Sequence, residues 1–414
     1  MSMPQPGVTA GETARAALAQ VRNGAIEPVL IAGGGIGGLA TALALARRGI
    51  AAHVLEQRAD FAAEGAGIQI GPNGTRILQS LGLADALQPH VGVPETITVH
   101  AGKSGAELVR LPLGRWIAER HGAPYWVVHR GDLHAVLLEA VRAQSYVHLS
   151  TGTAVTEVAM RDDAVAVASP GGDAWTGRAL VGADGLWSSV RTAVAPGLAP
   201  QPAGKSAARS LIPLSDAPRA LQTADVGIWL FSDAHVVHYP VSGGTALAIV
   251  VIVADTQTGD DWSTPVPPQW VTRRLPPCAP TLRELVTAAP AWRRWALNTL
   301  PPLPAWSRGP VTLLGDAAHA IVPFLAQGGV LALEDAVVLA DALQTPGTDA
   351  ADAIKSYEAR RRPRAARVAR ASLTNGRIYH LSGVPAQARN LVLRLGSPER
   401  VMARYDWLYG WRPS

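Results

Sequence analysis

His235, His238 and Tyr239 stand within five residues of one another in the run His235-Val236-Val237-His238-Tyr239-Pro240-Val241. An imidazole titrates near neutrality, so it can take a proton from a hydroxyl that is about to react. In an extended strand residues four apart share a face, which puts His235 and Tyr239 together and turns His238 away. The same spacing also fits a half-buried strand with satisfied polar tips. A second group is the run Gly33-Gly34-Gly35-Ile36-Gly37-Gly38, a GxGxxG between an apolar strand and a helix. Gly33 permits the tight turn, Gly35 lets backbone approach a pyrophosphate, and Gly38 lets helix and strand pack closely, while the free N–H groups of the helix start attract phosphate. Glu56, 18 residues beyond Gly38, stands where a carboxylate accepts both hydroxyls of an adenosine ribose. That fingerprint fits a flavin or a nicotinamide dinucleotide equally.

These groups need elements to hold them. A strand over Pro28 to Ile31, the glycine turn, a helix over Leu39 to Arg48 stopped by Gly49, and a strand over Ala52 to Glu56 make a βαβ unit. Helices are expected over Thr75 to Ser80 and Gly131 to Ala143. Two strands are expected around the polar turn Arg161 to Asp163, and another over Ala179 to Gly182 running into Asp184. The middle third is strand-like over Gly227 to Leu230, Val236 to Val241 and Ala246 to Ala254, with Gly243-Gly244 as a hairpin turn, which predicts an antiparallel sheet. From Pro310 the alternation returns, with a strand over Val311 to Leu314 and a helix over Gly328 to Leu343, so the chain revisits its first domain. The stretch Ala353 to Arg370 carries Arg360, Arg361, Arg362, Arg364, Arg367 and Arg370 and reads as a solvated helix face, not a nucleic-acid patch.

A chain of 414 residues, 48% hydrophobic and 17% charged, is too apolar for disorder and long enough for two interpenetrating domains or one large one. The net charge of +5 is modest; it favours an anionic small molecule and gives no support for nucleic acid. The single cysteine, Cys278, excludes an intrachain disulfide and a cysteine-cluster metal site, and fits a reducing, cytoplasmic setting. No HExxH-type zinc signature is present, so no metal is expected. Met1 to Pro28 lacks an apolar stretch of signal length and reads as a flexible or loosely docked leader. Val29 to Ala46 approaches the length of a membrane helix, yet its five glycines between Gly33 and Gly38 suit a strand turning into a helix, and no membrane partner is expected. Among the 12 tryptophans, Trp187 and Trp229 are candidates for aromatic pocket walls.

Three further segments carry a resemblance. The first is Gly182-Ala183-Asp184-Gly185-Leu186-Trp187-Ser188-Ser189-Val190-Arg191. The second is Gly315-Asp316-Ala317-Ala318-His319-Ala320-Ile321-Val322-Pro323-Phe324-Leu325-Ala326-Gln327-Gly328-Gly329, followed by Glu334-Asp335; the third is His129-Arg130-Gly131-Asp132-Leu133-His134. Together with the fingerprint they resemble the class A flavoprotein monooxygenases, the single-component FAD hydroxylases of aromatic acids. Gly65-Ala66-Gly67-Ile68-Gln69-Ile70-Gly71-Pro72-Asn73 and Pro112-Leu113-Gly114 resemble most the salicylate hydroxylase, 3-hydroxybenzoate 6-hydroxylase and 6-hydroxynicotinate 3-monooxygenase branch. Ala320 departs from the proline usual after the motif histidine, and Val330-Leu331 from residues that are often polar.

The resemblance implies an α/β fold: a Rossmann-like FAD-binding domain of the GR2 type, an inserted antiparallel-sheet substrate domain and a C-terminal helical segment. It divides the chain into a leader (1–27), an FAD-binding domain (28–97, 121–200 and 301–345), a substrate domain (98–120 and 201–300) and C-terminal helices (346–414). It assigns FAD to Gly33, Gly35, Gly37, Gly38, Glu56, Gln57, Gln69, Arg130, Asp184, Asp316, Pro323, Gly328, Gly329 and Val330. His235 and Tyr239 become the catalytic pair, with Phe324 and Arg209 on the substrate, Arg209 either positioning its carboxylate or bracing the sheet, and His319 structural. The implied reaction is hydroxylation of a small hydroxylated aromatic or N-heteroaromatic carboxylic acid with O2 through a flavin C4a-hydroperoxide. NADH, or NADPH, serves as a transient electron donor, because one GxGxxG leaves no second nucleotide domain. A homodimer is left open. Two competing readings are an FAD oxidase or dehydrogenase without oxygen insertion, and a nucleotide-binding sensor that uses the arginine helix for contacts.

Overall fold

The structure is a computed structural model that describes residues 9–21, 27–61, 66–256, 263–345 and 347–413. Val29–Ala32 is buried at all four positions, the environment of a central parallel strand. It pairs in parallel with Ala52–Leu55 and with Ala179–Gly182. The six-stranded sheet runs in the order Ser307–Arg308, Val311–Leu313, Ala179–Gly182, Val29–Ala32, Ala52–Leu55, Val147–Ser150. Val311–Leu313 therefore returns to the first half of the chain, as the renewed alternation predicts. Helices Ile36–Ala46 and Gly328–Gln344 pack on this sheet and on each other through small residues; a Cβ on Gly37 would lie 2.7 Å from a Leu314 methyl. The apolar run considered for a membrane is thus a strand plus a helix, and no described helix is long and apolar enough to cross a membrane.

The second sheet has eight strands, in the order Thr264–Val266, Trp292–Thr299, Gln201–Pro213, Ala246–Ala254, His235–Val241, Val226–Leu230, Thr96–Ala101, Glu107–Pro112. Its pairs are antiparallel except Val226–Leu230 with Thr96–Ala101. One face packs Trp229, Val236, Ile249 and Val251 against Leu282 and Leu285 of helix Pro280–Ala288. The other face packs Tyr239 and Ala248 against Tyr125, Val127 and Leu331, and Ala207 and Ile252 against Val322 and Phe324. The sheet therefore closes its second face on the loops and helices of the dinucleotide-type half.

Two expectations change. The segment read as a flexible or loosely docked leader forms, over its described residues, the helix Ala10–Gln20, capped reciprocally by Thr9 and Glu12, with Ala14 buried, so it is not flexible there. Arg161, from the small sheet beneath it, donates to the carbonyls of Leu18 and Val21. Residues 1–8 and 22–26 of that leader, and Gly65, lie outside the described residues. The arginine stretch belongs to the thirty-residue helix Ala350–Tyr379, and its face is only partly solvated. Arg361 is 1% exposed, pairing with Glu334 at 2.8 Å and Asp335 at 2.7 Å, and Arg364 also pairs with Glu334. Helix Gly328–Gln344 buries both carboxylates completely, and buried carboxylates need counter-charges. Sequence spacing shows six arginines but not which of them face buried acids.

Candidate active site

The glycine fingerprint holds the geometry its residue types imply. Gly33 has φ +105°, and a Cβ there would lie 2.5 Å from the Ala183 carbonyl oxygen. A Cβ on Gly38 would fall 1.9 Å from the Gly33 carbonyl oxygen, whereas one on Gly35 meets nothing within 4 Å. That contrast is what a phosphate cradle requires: crowding behind the turn and open space before the helix N-terminus. Glu56 directly follows its strand, with one oxygen accepting from Gly34 N–H at 2.6 Å and the other from Arg58 N–H at 2.9 Å. A carboxylate has about four acceptor positions, so capacity remains for ribose hydroxyls. Gln57 beside it is exposed.

Among the remaining groups assigned to FAD, Asp184 and Asp316 follow strands of the same sheet, Arg130 follows strand Trp126–His129 of a three-stranded sheet, and Gly328, Gly329 and Val330 open a helix. Asp184 accepts from Ser189 N–H at 2.8 Å and Val190 N–H at 3.1 Å through one oxygen, and its other oxygen is buried without a partner. Asp316 is exposed between buried neighbours. It acts on Arg130 electrostatically and opposes the burial that depresses that guanidinium. Gly328, Gly329 and Val330 form the first turn of helix Gly328–Gln344; space above Gly328 is open, and Ile68 stands 2.7 Å from where Gly329 would carry a Cβ. Pro323 is half-buried in the preceding loop. An open glycine cradle, an orphaned carboxylate oxygen, an exposed aspartate and a free helix start fit a bound FAD.

Opposite these groups lies the inner face of the eight-stranded sheet. Registers of the paired strands align Ala207, Ile252 and His235 in one row, Arg209, Val250 and Val237 in the next, and Leu211, Ala248 and Tyr239 in a third. Opposed residues share a face, so His235, Arg209 and Tyr239 look out on one side, with Arg209 two strand spacings, roughly 10 Å at the backbone, from Val237. His238 points to the other face, where it packs near Trp229 and keeps both ring nitrogens unpartnered. Burial marks where the face is open. His235 and Tyr239 are 2% and 4% exposed, while Arg209, Val250, Val237 and Ile228 between them retain accessibility. That row is the floor of a small site.

Its ends are walled by other elements. Phe324 sets its ring edge-on to His235 with centroids 5.5 Å apart, and Gly376 of the basic helix makes room for it, since a Cβ there would lie 2.3 Å from the Phe324 ring. The Tyr239 ring lies over Gly67, where a Cβ would come within 2.3 Å. Gln69, two residues on, accepts the Tyr125 hydroxyl at 2.7 Å. Arg209 stacks on Trp295 at 4.8 Å, and its Nε is buried without a hydrogen-bond partner.

Burial decides the protonation states. It raises the Tyr239 phenol to about 12, against the opposing pull of Arg209 and Gln69, so Tyr239 stays a hydrogen-bond donor. It holds His235 well below the usual imidazole range, reinforced by His380 and Lys205. The sequence predicts a base near neutrality; a ring this desolvated is instead firmly neutral. His319 hydrogen-bonds Asp335 at 2.6 Å, the structural role expected of it.

Several contributors carry no local signal. His380 sits at the end of helix Ala350–Tyr379 and reaches His235 at 2.8 Å across 145 residues of chain. Tyr125 stands beside Trp126 just before strand Trp126–His129, and Trp295 shares strand Trp292–Thr299 with Trp292, so aromatic content alone does not single either of them out. The tryptophans singled out do not wall the site: Trp187 is 49% exposed, and Trp229 is on the back face stacked on His100. Among the described residues no group of three or more His, Cys, Asp or Glu is arranged to hold a metal.

Comparison with known proteins places the chain in a family. Residues 27–372 match the family described as FAD binding domain. The chain is 38% identical over 389 residues to the 3-hydroxybenzoate 6-hydroxylase of Polaromonas naphthalenivorans, covering 94% of this chain and 97% of the relative. It is 34% identical to the 6-hydroxynicotinate 3-monooxygenase of Bordetella bronchiseptica, over 84% of this chain and 91% of that one. A salicylate hydroxylase substrate complex superposes with a TM-score of 0.78 at 26% identity, covering 93% and 96% of the two chains.

Proposed function

The chain belongs to the FAD binding domain family, among its aromatic hydroxylases, and from that premise we propose that it hydroxylates a small aromatic or N-heteroaromatic ring bearing both a hydroxyl and a carboxylate. The observation that carries this reading is the accessible row Arg209–Val250–Val237, flanked by His235 and Tyr239. It offers one fixed cation, two apolar floor residues and one imidazole, the complement of a flat ring with an acid at one side and an ionisable hydroxyl at the other. Gly33, Gly35, Gly38, Glu56, Arg130, Asp184, Asp316 and the turn Gly328–Val330 would hold FAD, which supplies the reduction of O2 by NAD(P)H. Glu56 reports on the flavin ribose and leaves the choice of nucleotide donor open; NADH is the donor we favour.

Arg209 binds the carboxylate by a charge-assisted pair, orienting the ring across Val237 and Val250. His235 accepts the hydroxyl proton, which makes the ring a stronger nucleophile. Tyr239, held protonated, donates to the oxygen left behind. Phe324 and the buried residues Ile252, His235, Ala248 and Tyr239 of the flanking rows keep water from the ring, while Leu211 at the outer end of one row is exposed. A cytoplasmic enzyme fits its use of NADH, and a homodimer is compatible with the reading.

The test is NADH oxidation by the purified, FAD-loaded protein with hydroxybenzoates, aminobenzoates and hydroxypyridine carboxylates, with peroxide and labelled-oxygen incorporation measured together. The reading expects one compound class to accelerate NADH loss with little peroxide and to acquire oxygen from O2. Peroxide without labelled ring product would make the protein an oxidase. Failure to take up FAD would remove the whole reading.

A further inference from the structure

We propose that His380 is the second station of a proton path that begins at His235 and ends in water, a role that rests on the aromatic-hydroxylase reading above. The two rings meet Nδ1 to Nε2 at 2.8 Å, with centroids 5.0 Å apart. His235 is 2% exposed, and no described group hydrogen-bonds its Nε2. His380 is half-buried and followed by the exposed residues Ser382 and Gly383. One imidazole thus faces the closed site and the other reaches toward solvent. The position of His380 is built, since its backbone N–H caps the helix on Gly376, and Arg389 of the next helix donates to the carbonyls of Ile378 and Tyr379 at 2.8 Å each.

The substrate O–H bond breaks, its electron pair stays on oxygen, and the proton bonds to His235 Nε2. The Nδ1–H bond of His235 breaks as that proton passes to His380 Nε2, and His380 releases its Nδ1 proton to water. The reverse path returns a proton to the product oxygen and resets both tautomers. The surroundings favour passage over storage. Lys205 of strand Gln201–Pro213 lies near both rings, Arg389 of helix Gly383–Leu395 lies near His380, and only Asp233, in the turn before His235, opposes them. Lys205 itself donates to the Asp233 carbonyl at 3.2 Å. Burial and these cations hold both rings neutral, His380 at about 4. A proton accepted inside therefore has to leave, and Nδ1 is the exit.

The first arm of the test needs no substrate. In the FAD-loaded protein with isotope-labelled histidine nitrogens, magnetic resonance should show coupling through a hydrogen bond from one imidazole to another, lost in His380→Gln; its absence in the unaltered protein overturns the path. The second arm uses 3-hydroxybenzoate, or 6-hydroxynicotinate where that is the acid accepted. The unaltered enzyme should hydroxylate at a nearly constant rate between about pH 6.5 and 8. His380→Gln should be roughly tenfold to hundredfold slower at the lower end, recover as hydroxide rises, and keep its KM. His380→Ala, which also serves if the glutamine variant does not fold, should recover with added imidazole. A loss equal at every pH and untouched by imidazole makes the contact structural and overturns the path alone. If no hydroxylated acid is turned over by the unaltered protein, the hydroxylase reading falls and takes the path with it.

Discussion

Arg209 is a cation whose Nε is buried and unsatisfied, stacked on Trp295 and set one row from His235 and Tyr239. A guanidinium kept in that condition needs an anion, and a carboxylate supplies two oxygens in the matching plane. Replacing it in Arg209→Met keeps the apolar stem and deletes the charge. The expected cost is about 1.5–3 kcal/mol in binding, a rise in KM of roughly tenfold to a hundredfold for the carboxylated substrate. The matching phenol without a carboxylate is the control, and its KM should hardly move. If both compounds weaken equally, Arg209 braces the sheet and something else reads the acid. The spacing of His235 and Tyr239 was legible because a strand's alternation fixes it. The lowered basicity of His235 was not, because that depends on what covers the ring.

Helix Ala350–Tyr379 does more than close the chain. Its Ser372 donates to the Val322 carbonyl at 2.6 Å and its Asn375 to that of Phe324 at 3.4 Å, fastening the loop that walls the site. Arg361 and Arg364 bind Glu334 and Asp335 on helix Gly328–Gln344, Asn73 donates to Glu334 at 2.8 Å, and the Gly315 N–H donates to Asp335 just before Asp316. Burial alone would raise Asp335, but His319 and Arg361 outweigh it and hold the carboxyl at about 2. Removing one partner leaves buried charge uncompensated. Arg361→Leu should therefore lose about 3–5 kcal/mol of stability in urea unfolding, while Arg362→Ala, an exposed neighbour paired with Glu358, should change it by less than about 1 kcal/mol. Comparable losses would mean that the helix face is uniformly solvated after all. The arginines were visible in the sequence; which of them meet acids depends on how two helices far apart in the chain are stacked.

For the molecule as a whole, imidazoles kept neutral by burial make part of its stability sensitive to acid. His238, on the back face of the large sheet, is held at about 3 by burial first and by His100 second, against 6.5 for the exposed ring. His53 lies at about 4, depressed by burial and by His148. Between the folded and unfolded values the unfolded chain binds a proton that the folded protein refuses, so stability rises with pH and is lost on acidification below about 6.5. At pH 5 His238 alone accounts for about 2 kcal/mol of that loss. His238→Leu, which also removes two unpartnered nitrogens, should lose less stability between pH 7 and pH 5 than the unaltered protein when urea midpoints are compared. Parallel losses would show that His238 takes its proton without unfolding.

Legible from the residues were the local parts: the glycine turn between a strand and a helix, the opposite facing of His235 and His238, the hairpin at Gly243-Gly244, and the return of the alternation at Val311. Each is fixed by backbone geometry or periodicity over a few residues, which neighbours in the chain decide between themselves. Tertiary structure alone decided that His380 meets His235, that Arg361 is enclosed with two carboxylates, that the leader docks as a helix, and that the accessible row of the sheet contains Arg209. Those outcomes depend on which surfaces stack and on the charge and solvent that stacking leaves around each group. Residues separated by as many as 145 positions carry no local signal of that kind.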